Sequence, residues 1–184
     1  MSKMDSGLRR SFDDLRSADR EVQGQAYQRL LTLTAQPVDW VYEVWDELVA
    51  ALAHPDNRLR SIAAQLLCQL AQSDTEARMV RRFPQLLAVT KDEKFVTARH
   101  ALQSLWRIGL AGQRPRELLL AGLAQRFAGC QDEKNGTLIR YDISQSLRRL
   151  YDAAPDEELR ELALRLIETE TDDKYRRKYA AVWK

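Results

Sequence analysis

The sequence predicts an all-α protein, folded as an α-α superhelix: a solenoid of about five helix–turn–helix repeats. Three observations carry this expectation. Apolar residues recur at three- and four-residue spacing nearly everywhere, and no segment alternates with period two over strand length. Glycine and proline are scarce, 7 and 5 among 184 residues, and sit mostly at joints. One three-point apolar stripe also appears five times along the chain. It reads Val22–Ala26–Leu30, Leu59–Ala63–Leu67, Thr97–Ala101–Leu105, Ile139–Ile143–Leu147 and Tyr175–Tyr179–Trp183, so the third members fall 36 to 42 residues apart. A single unit of this kind cannot bury its own apolar face, so neighbours must stack.

Each stripe belongs to the second helix of a unit. Asp19, Asp56 and Asp172 stand three residues ahead of the first stripe member. That is the position of an N-cap or first-turn acid, where a carboxylate meets free backbone amides and the positive end of the helix dipole. The second unit's stripe is fullest: Leu59, Ile62, Ala63, Leu66, Leu67 and Leu70. First helices are expected at roughly Leu8–Arg16, Asp39–Ala53, Thr75–Thr90, Arg114–Gly129 and Asp156–Glu170. The units then span approximately 8–36, 37–74, 75–112, 113–154 and 155–184, in one domain. Trp40, Val41, Val44, Trp45, Leu48 and Leu52 form a helical stripe, which assigns both tryptophans to the core. Asp39, Glu43, Asp46 and Glu47 make the rest of that helix acidic. Glu157, Glu158, Glu161, Glu168 and Glu170 do the same in the fifth unit, opposite a basic second helix carrying Lys174, Arg176, Arg177 and Lys178. Neutralisation between paired helices accounts for this pattern.

With these residues in place the chain resembles the HEAT-repeat family. The second unit, "DELVAALAHPDNRLRSIAAQLLCQLAQ", carries the resemblance most fully, with a short turn at Pro55–Asp56, then Leu59–Arg60 and the small Ala63. The third, "FPQLLAVTKDEKFVTARHALQSL", places Pro84 where family members often kink their first helix. Arg140 and Arg176 occupy the position of Arg60, whereas Gln23 and Ala98 depart from it. The period is slightly short of the roughly 40–47 residues usual for such repeats, and the fourth unit has an insertion at "CQDEKNGT".

Composition narrows the function. Hydrophobic content of 45% with 30% charged residues describes a soluble globular protein. A net charge of +2 is too small to draw a polyanion by its global field. "MSKMDSGLRR" lacks the apolar core of a secretory signal, and the apolar run "LLLAGLA" is far too short to span a membrane, so no membrane partner is expected. Cys68 and Cys130 lack metal-ligand spacing and read as free thiols in a reducing, cytoplasmic setting. There is no Gly-rich phosphate loop, no nucleophile elbow and no His/Cys/carboxylate cluster. The expectation is therefore no catalytic residues, no cofactor and no metal. His54 reads as a turn or capping residue, and His100 as a satisfied residue at the edge of its stripe.

In HEAT-like proteins the second helices line the concave surface, which commonly holds the partner. At 100° per residue, positions two, six and nine after the first stripe residue point away from the core. Position six reads Gln28, Gln65, Gln103, Gln145 and Ala181. Such a Gln row either donates and accepts hydrogen bonds to neighbours or to a peptide backbone, or simply makes a wet helix face. Position two reads Gly24, Ser61, Arg99, Tyr141 and Arg177. Position nine reads Leu31, Cys68, Trp106, Arg148 and Lys184. The inner face thus becomes basic and aromatic towards the C-terminus, with Arg107 and Arg149 adding to it. Trp106 serves either as a partner's anchor between arginines or as packing against the neighbouring repeat.

The leading expectation is a non-enzymatic scaffold that binds a protein or peptide through Arg99, Gln103, Trp106, Arg107, Tyr141, Gln145, Arg148 and Arg149. The alternative is nucleic-acid binding, because some HEAT-like solenoids similar in type, including alkylation-repair DNA glycosylases, hold duplex DNA in a basic concave face. A third possibility, an accessory factor like the HEAT-like bilin lyase subunits, has no specific residue behind it. Finally, "YAAVWK" is a poor polar cap for a solenoid. That end is expected to dock on the chain itself, on a partner or on a further unit.

Overall fold

The computed structural model describes residues 4–184. Ten α-helices, with no strand among the described residues, pair into five hairpins. These are α1 (Ser6–Asp14) with α2 (Arg20–Leu33), α3 (Val41–Ala51) with α4 (Asn57–Leu70), and α5 (Arg78–Ala88) with α6 (Phe95–Ser104). They continue as α7 (Gln113–Gly129) with α8 (Gly136–Ala153), and α9 (Glu157–Glu168) with α10 (Asp173–Ala181). Short 3-10 turns follow α4, α5 and α6 at Ala71–Ser73, Val89–Lys91 and Leu105–Leu110.

The helices start where carboxylates can hold free amides. Asp5, Asp19, Asp56, Asp156 and Asp172 each accept a hydrogen bond from a first-turn backbone N–H, at 2.7 to 3.0 Å for the shorter contacts. Second helices stack in sequence order, α2 on α4, α4 on α6, α6 on α8 and α8 on α10, while α5, α7 and α9 stack as the outer layer. Twelve of the fifteen stripe residues are buried; Val22, Tyr175 and Trp183 are partly so. The result is an α-solenoid with one continuous core. Trp45 is wholly enclosed, and Trp40 is half-buried with its ring edge-on to Phe12 at 5.7 Å. The C-terminal Trp183 lies against Tyr151, 5.7 Å between centroids, and Arg148 donates to the Val182 carbonyl. This end therefore rests on α8.

A second system of contacts runs along the interhelical turns. Arg60 donates to the carbonyls of its own turn, His54 and Pro55, and pairs bidentately with Asp92 of the next turn at 2.6 and 2.8 Å. Arg140 repeats this, donating to the Phe127 carbonyl and pairing with Glu170 at 2.8 Å. Arg176 bonds the Glu170 carbonyl and pairs with Asp173 in the last unit. Where the sequence departs from arginine, other side chains make the same link. Gln23 bonds the Leu15 carbonyl and receives Arg20, which reaches Asp56. At Ala98 the work passes to Arg126, on a different helix, which bonds the Thr90 carbonyl and the Glu133 carboxylate. All four junctions between hairpins thus carry a guanidinium joined to a carboxylate.

Candidate partner-binding face

The second-helix wall holds a groove of about 890 Å³ lined from α2, α4 and α6, with Tyr27, Gln28, Ser61, Gln65 and His100 among its residues. A ladder of hydrogen bonds crosses its floor. The Tyr27 hydroxyl donates to Gln65 Oε1 at 2.7 Å, and Gln65 Nε2 donates to the Ser61 hydroxyl and carbonyl. The Ser61 hydroxyl lies 2.9 Å from His100 Nδ1. Burial, reinforced by the Arg99 charge, lowers the His100 pKa, so the imidazole is neutral at pH 7. The Gln28 amide has no hydrogen-bond partner among the described residues.

The expected wall residues fall into two groups. Arg99 forks onto Asp142 at 2.7 and 3.0 Å; that carboxylate is completely enclosed, and Gln103 adds a third hydrogen bond. Gln145 donates to the Tyr141 hydroxyl, and Lys178 stands over the Tyr141 ring. Arg148 pairs with Asp152. These side chains stitch α6, α8 and α10 together. The Gln row is therefore largely occupied: Gln65 and Gln103 bond across to neighbouring helices, Gln145 bonds Tyr141 within α8, and Gln28 is free among the described residues.

Three positions depart from the helical-wheel expectation. Ser61 and Cys68 do not face outward: they are 5% and 0% exposed, because α4 is sandwiched between α2 and α6 and only Gln65 stays open in that stretch. Trp106 does not continue the α6 face either. The helix ends at Ser104, and the 3-10 turn winds three residues per turn instead of 3.6, which rotates the following side chains. Trp106 is half-buried on the core, with its indole N–H enclosed. Gly109 lets this turn approach α8, since a Cβ there would lie 2.5 Å from Leu150.

Arg107 differs from the other wall arginines. It makes no ion pair or hydrogen bond with the described residues. Its guanidinium lies over the Trp106 ring, 4.6 Å from the centroid. Burial lowers its pKa from the usual arginine value, and the Arg149 charge acts in the same direction. Arg149 is exposed and donates only to the Gln103 carbonyl. Beside Arg107 is a recess of about 210 Å³ lined by Ala35, Gln69, Gln72, Trp106 and Leu110. Gln69, Gln72 and the Ser61–His100 contact did not emerge from sequence reasoning. Ser61, Gln65 and Gln69 do share a four-residue spacing that marks one row of α4.

No protein-family model matches the chain, and no curated protein matches it. Among solved structures, it is similar to one engineered protein at 15% identity, covering 97% of this chain and 95% of that one, with a TM-score of 0.51. A second engineered protein aligns at 14% identity over 98% and 88%, TM-score 0.50. A designed armadillo repeat protein in complex with the peptide (KR)4 aligns at 14% identity over 97% and 88%, TM-score 0.49. At these identities the likeness concerns the fold alone. The class of protein is an α-solenoid of helical repeats.

Proposed function

We propose that this α-solenoid is a non-enzymatic interaction module of HEAT-like type, whose second-helix wall holds a protein or peptide partner. Its five units, 8–36, 37–74, 75–112, 113–154 and 155–184, act as one domain. The observation that supports this best is the groove over Tyr27, Gln65, Ser61 and His100. It is open and lined largely by uncharged donors and acceptors, with Arg20, Glu21 and Arg58 also in its wall, and Gln28 and the second imidazole nitrogen are left to serve a ligand. Such a surface suits an extended backbone, which offers one donor and one acceptor per residue. Arg107, Arg149 and the exposed edge of Trp106 continue the wall into the third and fourth units, while Arg99, Gln103, Tyr141, Gln145 and Arg148 keep its helices in register. The buried, unpaired thiols of Cys68 and Cys130 fit a reducing, cytoplasmic setting.

Selection from a random peptide library displayed on phage tests this reading. Peptides should be recovered that lose binding to a Gln28→Ala/His100→Ala variant whose melting temperature is unchanged. Recovered peptides that bind that variant equally well would place the interaction elsewhere and end the proposal.

A further inference from the structure

The recess beside Arg107 is built for an anion. Its lining contains one charged group, the Arg107 guanidinium, and no carboxylate. Three other arginines of the wall are committed to acids, Arg20 to Asp56, Arg99 to Asp142 and Arg148 to Asp152, and Arg58 in the groove bonds the Arg20 carbonyl. A half-buried guanidinium has five N–H donors and loses hydration without recovering it from the chain. The Trp106 ring, its centroid 4.6 Å from the guanidinium carbon, restrains the group, and the planar fork of a guanidinium favours a two-pronged grip on a carboxylate. The Gln69 side-chain amide meets the Thr34 hydroxyl at 2.6 Å, which fixes that side chain in the lining of the recess. Arg149, the neighbouring cation, has no acid partner among the described residues.

We propose that this recess receives the carboxylate of one Asp or Glu side chain from an extended acidic segment of the protein partner. The proposal rests on the groove reading above and adds the chemistry that the partner must carry. The row Ser61–Gln65–Gln69 on α4 joins the groove to the recess, a rise of about 12 Å for eight residues of helix. A peptide bonded over His100 and Gln65 therefore reaches Arg107 within a few residues. Trp106 and Leu110, the latter 43% exposed, supply apolar rim for the methylene groups of a glutamate. A nucleic acid fits this wall less well. It draws its affinity from many phosphate contacts along a cationic track, and that track is broken here where Arg20, Arg99 and Arg148 are neutralised by Asp56, Asp142 and Asp152.

The test uses fluorescence anisotropy with a labelled oligoglutamate peptide, an oligolysine peptide of equal length and a single-stranded oligothymidylate. Oligoglutamate should bind, more weakly as salt is raised, and Arg107→Gln should lower its affinity about tenfold or more, the worth of a charge-assisted hydrogen bond. Arg149→Gln, at an exposed position, should weaken it as well and covers the case in which the first variant fails to fold. Tighter binding of oligolysine or oligothymidylate would overturn the proposal, as would oligoglutamate binding that neither variant alters. The phage-selected peptides separate the two claims. If they carry no acid and ignore Arg107→Gln yet need Gln28 and His100, the carboxylate recess is wrong and the groove stands. If they ignore all of these positions, both fail.

Discussion

Arg140 Nη1 stands 2.8 Å from Glu170 Oε2 at the junction of the fourth and fifth hairpins, with the two side chains only 6% and 7% exposed. Removing one partner leaves the other charge enclosed without compensation. Arg140→Ala should therefore lower stability by about 3–5 kcal/mol, measured by urea denaturation. The double variant Arg140→Met/Glu170→Leu should lose much less, because neither charge is left stranded.

The same links make the fold acid-sensitive. Burial works to raise the pKa values of Asp56, Asp92 and Glu170, but hydrogen bonds from backbone amides and from Arg20, Arg60 and Arg140 outweigh it and hold all three below the usual range. Glu133 is held down chiefly by its hydrogen bond from Arg126. With folded values below unfolded ones, the unfolded chain binds more protons as the solution is acidified. The stability these carboxylates contribute is present above the unfolded values of about 4 and is lost as pH falls through the folded ones. Melting temperature should fall gently below about pH 6.5, where the unfolded chain protonates His100 before the folded one does, and decline steeply below about pH 4. Arg60→Met should make that decline shallower.

Gly136 opens α8 directly against the turn of the fourth unit, where an added Cβ would collide with the Cys130 carbonyl oxygen. Gly136→Ala should cost about 2 kcal/mol or more, since backbone must move to admit it. Gly129 has nothing within 4 Å of the same atom. Gly129→Ala should be neutral or stabilising by up to about 1 kcal/mol, and paired thermal melts of the two variants give the comparison.

Trp106 and Arg107 are adjacent in sequence and opposite in role. The Trp106 ring packs on the core, so Trp106→Ala should destabilise by about 2 kcal/mol, less than for a fully buried tryptophan. Arg107 returns to the fold only its stacking on Trp106, with no ion pair or hydrogen bond among the described residues, so Arg107→Gln should lower the melting temperature by no more than a few degrees. Equal losses in the two variants would show that the guanidinium is structural.

The hairpins were legible because burial on one side of a helix writes its period into the chain, as Leu59, Ala63 and Leu67 do. The capping acids were legible for a similar local reason: Asp19, Asp56 and Asp172 act within three residues of themselves. What lay beyond reading depended on two elements at once. Ser61 and Cys68 sit on the outward face of an isolated α4 and become enclosed only when α2 and α6 flank it. The switch to a tighter turn after Ser104 carries no composition signal beyond Gly109, so the direction of Trp106 was hidden. Arg126 takes over at Ala98 from another helix, which no alignment of repeats on one stripe reveals. The lack of an acid partner for Arg107 follows from where Asp56, Asp142 and Asp152 are spent. That is a property of the whole surface.

The turn-to-turn links are unequal, and the inequality has a direction. At the first junction Arg20 and Asp56 are 58% and 30% exposed, against 12% and 6% for Arg60 and Asp92. A linear array opens from its weaker end, one neighbour at a time. The first hairpin then has the most exposed of these turn-to-turn links, yet α2 carries Tyr27 and Gln28, two of the side chains a guest would grip. Occupancy of the groove would clamp this hairpin shut, so that holding a partner and completing the fold become the same event at that end of the molecule.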